Sequence, residues 1–310
     1  MLDVCLLGTG GLMPLPDRHL ASLLVSCDGV SILVDCGEGT QVSMRKNGVS
    51  PYDIGLILLT HMHGDHVAGL PGVLLSIAGT ERREPLVIAG PRPLLDVVRG
   101  ICVIVPNLPY DVRLMPLPDP LPPDEDEPHL SCGKMDVFPF SVEHHIPCLG
   151  YRIHLPRRPA FDPSAARRLG VPIEQWKILQ FGQPVEVGSR RIEPQEVLGP
   201  PRKGITIVYA TDTRPVDAIV AASSGADLLV CEGMYGDENK SQEVHEKYHM
   251  MMQDAAAIAA RANVKELWLT HFSPANPAPE EYLDQVQEIF AGTVIGVDGM
   301  QKKLAFKAVD

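Results

Sequence analysis

The run Thr60-His61-Met62-His63-Gly64-Asp65-His66 places three imidazoles and one carboxylate within six residues, directly after the apolar segment Ile54-Gly55-Leu56-Ile57-Leu58-Leu59. No other feature constrains the fold of this chain as strongly. A short apolar run rich in β-formers reads as a buried strand. His61 and His63, two apart in extended backbone, leave the end of that strand on the same side and can share one ion. Asp65 and His66, past the turn at Gly64, face a second position. Several imidazoles rarely collect beside a carboxylate without an ion, so the pattern predicts two neighbouring metals.

Three further candidate ligand segments lie far down the chain in the same setting. Val142-Glu143-His144-His145 follows the apolar stretch Met135–Phe140, Thr211-Asp212 ends a strand predicted from Ile205, and His271 ends one predicted from Leu267. Loops at the carboxyl ends of strands are where α/β folds converge side chains from distant positions. Strands are predicted at 4–7, 21–26, 31–35, 56–60, 86–89, 205–210, 228–231 and 267–270, and helices at 41–47, 70–78, 92–101, 216–223, 254–262 and 279–290. Their alternation predicts an α/β layered domain.

With 310 residues, 45% of them hydrophobic and 21% charged, the chain can bury a substantial core and reads as soluble. The opening Met1-Leu2-Asp3-Val4-Cys5-Leu6-Leu7-Gly8 reads as a first strand rather than a signal peptide, and no apolar run reaches transmembrane length. Seven widely spaced cysteines without a Cys-x-x-Cys pair predict free thiols and a cytoplasmic protein. Residues 116–128, a proline-rich acidic stretch, read as an exposed loop that cannot continue a central strand.

The run from His61 to His66, continued by Val67-Ala68-Gly69-Leu70-Pro71-Gly72, resembles the metallo-β-lactamase superfamily and, within it, the ribonuclease Z family of tRNA 3′-processing endonucleases. Leu7-Gly8-Thr9-Gly10, Val34-Asp35-Cys36-Gly37-Glu38-Gly39-Thr40-Gln41, Glu143-His144 with Gly150-Tyr151-Arg152, Asp212-Thr213-Arg214 and Leu269-Thr270-His271 extend the likeness along almost the whole chain. The resemblance implies an αββα metallo-β-lactamase fold as one domain over 1–310. It assigns His61, His63 and His144 to one zinc ion, Asp65, His66 and His271 to a second, and Asp212 as a bridge. The six-residue distance to Gly150 favours His144 over His145. Zn2+, two per subunit, suits imidazole and carboxylate ligands, with Mn2+ as a substitute. The family's proton-donating histidine corresponds to His249 and the carboxylate that orients it to Glu232, while Asp65 is placed to couple metal binding to activation of water. The chain differs from the family at Cys231, Gly233 and Met234 around Glu232, at Met250 and Met251 after His249, and at Thr211 before Asp212.

A net charge of −12 opposes RNA binding, but it is unevenly spread. Residues 156–203 carry nine basic and five acidic residues, leaving +4 there and −16 elsewhere. The resemblance places an inserted, protruding tRNA-binding arm in this stretch, with Arg157, Arg158, Arg167, Arg168 and Lys177 as its phosphate contacts. It further implies precursor tRNA as substrate and a homodimer in which one subunit's arm serves the other's active site, with no membrane partner. Two rivals stand beside that expectation. One is a phosphodiesterase of the same fold acting on cyclic nucleotides or other small diesters; the other is a non-catalytic RNA-binding protein.

Overall fold

The computed structural model describes residues 1–105, 107–124 and 127–306. Contacts divide them into two units, Met1–His154 with Thr206–Ala305, and Leu155–Ile205 with Phe306.

In the larger unit, β1 (Leu2–Gly8), β2 (Ser22–Cys27), β3 (Val30–Val34), β4 (Ile54–Leu58), β5 (Leu86–Pro91) and β6 (Val112–Leu117) form one sheet. The second sheet begins with β7 (Leu130–Cys132), β8 (Met135–Val142) and β9 (Cys148–Arg157). After β10 (Val185–Val187) and β11 (Arg190–Ile192) of the smaller unit, it continues with β12 (Arg202–Ala210), β13 (Leu228–Glu232), β14 (Leu267–Thr270) and β15 (Thr293–Ile295). The last strand, β16 (Gln301–Leu304), returns to pair with β1, giving the orders β16-β1-β2-β3-β4-β5-β6 and β15-β14-β13-β12-β9-β8-β7. The β3–β6 and β12–β15 runs are parallel, so their carboxyl ends lie together within each sheet.

Both faces of these sheets are covered, which is why Leu23-Leu24-Val25 and Ile32-Leu33-Val34 are continuously apolar instead of alternating. Leu24, Leu33 and Ile57 pack outward against α1 (Thr40–Lys46), α3 (Leu70–Ala78) and α4 (Leu94–Ile101), where α2 (Gly64–Val67) is a single turn. On the second sheet Val208, Leu229 and Leu269 pack against α7 (Asp217–Ala222), α9 (Met252–Arg261) and α10 (Leu283–Ile289). The sheets meet through their inner faces: the Tyr151 hydroxyl donates to the Leu59 carbonyl at 2.6 Å, and the Leu149 amide to Thr60 at 2.9 Å. Two mixed sheets flanked by helices are the αββα arrangement expected.

The smaller unit holds α5 (Pro163–Arg168), α6 (Ile173–Gln180) and the β10–β11 hairpin; α8 (Ser241–Glu246) belongs to the larger unit. It has a miniature core of its own, Ala165, Ala166, Val171, Leu179, Val185, Ile192 and Val197, with Trp176 donating to the Val171 carbonyl at 3.0 Å. Asp162 caps α5 by accepting from the amides of Ser164 and Ala165, and Pro163 supplies a first-turn residue with no amide to satisfy.

The expected elements lie within a few residues of those observed. The helix expected over 279–290 is a 3-10 turn at Pro279–Tyr282 followed by α10, and the helix expected from Arg92 begins at Leu94. The proline-rich stretch is partly strand: β6 runs to Leu117, and Pro116 is accommodated because β6 is the edge of its sheet, where a missing amide leaves no ladder bond unmade. Glu125 and Asp126 of that stretch lie outside the described residues.

β9 was not foreseen, because Gly150 and Pro147 interrupt its apolar pattern. Gly150 pairs with Phe140 of β8, whose ring occupies the space a side chain would fill: a Cβ there would stand 2.3 Å from Phe140 Cζ. Gly150→Ala therefore should destabilise the fold by about 1–3 kcal/mol through overpacking, although alanine is ordinarily the better strand residue. A lowered urea midpoint at unchanged m-value checks this; an unchanged or raised midpoint contradicts it.

Candidate metal centre

Each residue of the centre stands at or just past a strand end. His61 follows β4, Asp65 and His66 lie in α2, His144 follows β8, Asp212 follows β12, Glu232 closes β13 and His271 follows β14. Because β12, β13 and β14 are adjacent and parallel, Asp212, Glu232 and His271 emerge side by side.

Among the described residues, ligand atoms converge in three groups: His61, His63, His144 with Asp212; Asp65, His66, His271 with Asp212; and Glu232 with His249 and His271, of which the first two contain all seven predicted ligands. In the first, His63 Nδ1 lies 3.1 Å from His61 Nε2 and 3.3 Å from His144 Nε2, and His61 Nε2 lies 3.7 Å from Asp212 Oδ2. In the second, His66 Nε2 lies 3.3 Å from His271 Nε2, 3.1 Å from Asp212 Oδ1 and 3.6 Å from Asp65 Oδ2. His271 Nε2 lies 3.2 Å from Asp212 Oδ1 and 3.5 Å from Asp65 Oδ2. Ligand atoms around a tetrahedral ion at about 2.0–2.1 Å stand about 3.3 Å apart, which is the spacing of these atoms. Asp212 directs one oxygen to each of the first two groups.

Hydrogen bonds on the far side of the rings select which nitrogen faces inward. Thr60 Oγ1 lies 2.9 Å from Asp35 Oδ2, to which it donates, so it accepts from His61 Nδ1 at 3.0 Å. His66 Nδ1 donates to Asp35 at 2.8 Å, and His144 Nδ1 to the Tyr248 carbonyl at 3.3 Å. With the Nδ1 protons of His61 and His144 engaged in this way, their Nε2 lone pairs both point at His63 Nδ1. Asp212 Oδ1, also buried, has no hydrogen-bond partner among the described residues. Converging lone pairs and an orphaned carboxylate oxygen are what a cation neutralises, so these residues fit metal ions.

Electrostatics agree. Burial pushes the imidazoles of His61 and His63 down, and that of His144 to about 4, favouring the neutral form a metal requires. Burial by itself would raise Asp65 and Asp212, but His271 and His66 outweigh it and hold both well below the usual carboxylate range. His66 goes the other way: burial opposes its charge, yet Asp212 and Asp35 raise it well above the usual value. A cation held at Asp212 would replace that proton, as metal binding to such ligands displaces protons generally.

Glu232 is wholly buried and lies beside this cluster. Its Oε2 is 3.0 Å from His249 Nδ1, and its Oε1 accepts the Thr213 amide at 2.5 Å. Burial opposes the His249 charge, but Glu232 outweighs it and raises the imidazole to about 9. Of the residues expected to differ from the family pattern, Cys231 and Met250 touch here: Cys231 Sγ lies 3.8 Å from Met250 Sδ, both buried, an apolar contact behind the Glu232–His249 pair that leaves it intact.

Thus Asp65, Glu232 and His249 and the seven predicted ligands assemble in one place. Arg157, Arg158, Arg167, Arg168 and Lys177 belong to the smaller unit. There Arg158 lies 3.9 Å and Lys177 6.0 Å from the centre of the exposed Phe181 ring, Arg167 lies 5.5 Å from Trp176, and Arg157 lies 5.1 Å from Phe306. Arg168 is 4.0 Å from Asp162. Sequence reasoning missed the part played by Asp35, which orients His66 and Thr60, although it too is a polar residue closing an apolar strand. It also missed the Leu12 amide, which donates to Asp65 Oδ2 at 2.8 Å and has no sequence signature. Asp35, Asp212 and His271 all have φ near +60°, strain held by the surrounding contacts.

Comparison with known proteins agrees with this geometry. The family described as "Beta-lactamase superfamily domain" matches residues 158–272, and that described as "Anti-Pycsar protein Apyc1" matches residues 2–96. The metallo-β-lactamase fold protein YhfI from Bacillus subtilis superimposes with a TM-score of 0.67 at 21% identity, covering 97% of this chain and 98% of that one. The fold and the paired ligand groups define a member of the metallo-β-lactamase superfamily. The chain is 46% identical over 307 residues to ribonuclease Z of Clostridium acetobutylicum, covering 99% of each. It is also similar to the short form of human tRNase Z, with a TM-score of 0.69 at 26% identity over 98% of this chain and 100% of that one. The chain belongs to the ribonuclease Z family.

The geometry separates the two adjacent histidines. His144→Ala should lower bound metal, whereas His145→Ala should leave it unchanged, since only His144 turns a nitrogen into the cluster; metal analysis of the purified variants checks this. The opposite ordering would reverse the assignment.

Proposed function

We propose that this protein is a zinc-dependent endoribonuclease that hydrolyses precursor tRNA at its 3′ end, removing the 3′ trailer with a 5′-phosphate and leaving a 3′-hydroxyl on the tRNA. The full-length likeness to a protein named ribonuclease Z, 46% identical over 99% of both chains, carries the reading. Two Zn2+ per subunit, with Mn2+ as a substitute, are held in this reading by His61, His63 and His144, by Asp65, His66 and His271, and by Asp212 between them. Bound there, such ions supply Lewis-acid polarisation of the phosphodiester and lower the pKa of water.

The chain's own residues then divide the remaining work. Asp65, held by the Leu12 amide at 2.8 Å, orients the attacking water and takes its proton. His249, protonated at neutral pH because Glu232 stands behind it, donates a proton to the departing 3′ oxygen of the tRNA. Burial of Glu232 keeps water from competing for His249, so the imidazole is held in one orientation.

The basic segment 156–203 contributes the phosphate contacts through Arg157, Arg158, Arg167, Arg168 and Lys177. Homodimer formation and a cytoplasmic location complete the proposal. All seven cysteines are free thiols, and no helix among the described residues is long and apolar enough to cross a membrane.

Three measurements test this reading. Incubated with metal-loaded protein, precursor tRNA should be cut at the base of the trailer, and binding without any cut product would favour a non-catalytic RNA-binding protein. His249→Ala should lower kcat about 10²–10⁴-fold, as expected for loss of a general acid, in single-turnover assays on precursor tRNA. Replacing Arg158, Arg167 and Lys177 together by Gln should weaken precursor binding and reduce the slope of log affinity against log salt by about 2, at about 0.7 per lost phosphate contact. An unchanged salt slope would remove the segment from the RNA interface and favour a small-diester phosphodiesterase.

A further inference from the structure

His145 stands beside His144 in the sequence but contributes to none of the groups of converging ligand atoms. Its ring is exposed and leans on Tyr248, with ring centres 4.3 Å apart at 49°, while lying 5.4 Å from the ring of His144. Tyr248 is firmly placed. Its φ is +61°, its carbonyl accepts from His144 Nδ1, and the Arg214 guanidinium lies 3.9 Å from its ring centre. Arg214 is anchored in turn by Glu143 at 2.9 Å and by the His245 carbonyl at 2.8 Å. Guanidinium, phenol and imidazole thus form a braced cluster whose most exposed member is His145.

This ledge is continuous with the centre at two points, because His145 follows His144 and Tyr248 precedes His249. Whatever touches it adjoins the bond being cut. A rigidly backed ring at the lip of a phosphodiester-cleaving site offers a flat π surface to an unstacked base, and such stacking tolerates any base because all have a π face. Arg214 adds a cation against the same ring system and limits its movement.

We propose that the His145–Tyr248–Arg214 ledge stacks against the nucleobase next to the scissile phosphodiester, with His145 as the contacting ring. This rests on the RNA-cleaving function above. His145 is then a substrate-positioning residue, acting through its aromatic face and not as a proton carrier or metal ligand.

The test pairs variants with altered RNA. Precursor tRNA is prepared intact and with a single abasic nucleotide on either side of the cleavage position, and kcat/KM is measured for wild type, His145→Ala and His145→Phe, with metal content recorded for each. Wild type should lose about tenfold on one of the two abasic substrates, the order expected of one base–aromatic stack. His145→Ala should lose about tenfold on intact RNA, mainly through KM, and little more on that abasic substrate. His145→Phe, which keeps a ring without a titratable nitrogen, should restore the wild-type rate. Tyr248→Asn, which removes the backing ring while tolerating the left-handed backbone, should reproduce the His145→Ala pattern. Additive penalties for the variant and the missing base, or a His145→Phe protein as slow as His145→Ala, would overturn the ledge while leaving the ribonuclease reading standing. A wild-type protein that leaves intact precursor uncut would overturn both.

Discussion

One buried carboxylate, Asp212, organises the centre. Its two oxygens face two separate groups of nitrogen ligands, and Oδ1 lies 3.1 Å from His66 Nε2 and 3.2 Å from His271 Nε2. An ionised group so deep in a protein is tolerated only where opposite charge offsets its lost hydration. Without a cation, the proton on His66 meets that requirement; with cations bound, the same oxygens would serve as ligands. The electrostatic need for positive charge at Asp212 therefore links the two groups into one unit.

The architecture supplies the positions for this arrangement. Parallel strands β12, β13 and β14 deliver Asp212, Glu232 and His271 in register, while β4 delivers the histidine run from the facing sheet. Left-handed backbone at Asp35, Asp212 and His271 turns these side chains inward at the point where each strand stops. Close packing maintains the turn: a Cβ at Gly11 would lie 2.6 Å from the His271 ring, so that ring can move little. Behind the ligands, Asp35 gathers the Thr60 amide, the Thr60 hydroxyl and His66, and thereby orients both halves of the cluster from a single buried position.

Apolar packing behind the site leaves its carboxylate in place. Cys231 and Met250 meet each other behind Glu232, while the carboxylate remains 3.0 Å from His249. The smaller unit has an apolar core of its own. Several of its cations have local partners: Arg190 lies 2.6 Å from Glu196 and Arg191 2.8 Å from Glu193. Arg158 and Lys177 flank an exposed phenylalanine instead.

Much of this was legible in the chain before folding. Apolar runs that end in His, Asp or Glu marked the strands and their functional ends, and His61 to His66 announced metal ligands because imidazoles at that spacing cannot avoid one another. Strand β9 was hidden, since its glycine makes sense only against Phe140 across the sheet. The role of Asp35 was hidden for the same reason: its partners are 25 and 31 residues away. Residue chemistry and local spacing, carried by the backbone itself, determined which groups could bind a metal and which segments would be strands. Tertiary structure alone decided that Asp212 would be shared, that His144 and not its neighbour would turn inward, and that a bare backbone amide would hold Asp65. Those outcomes depend on distances between segments far apart in the chain, which only the packed sheets bring within hydrogen-bond range.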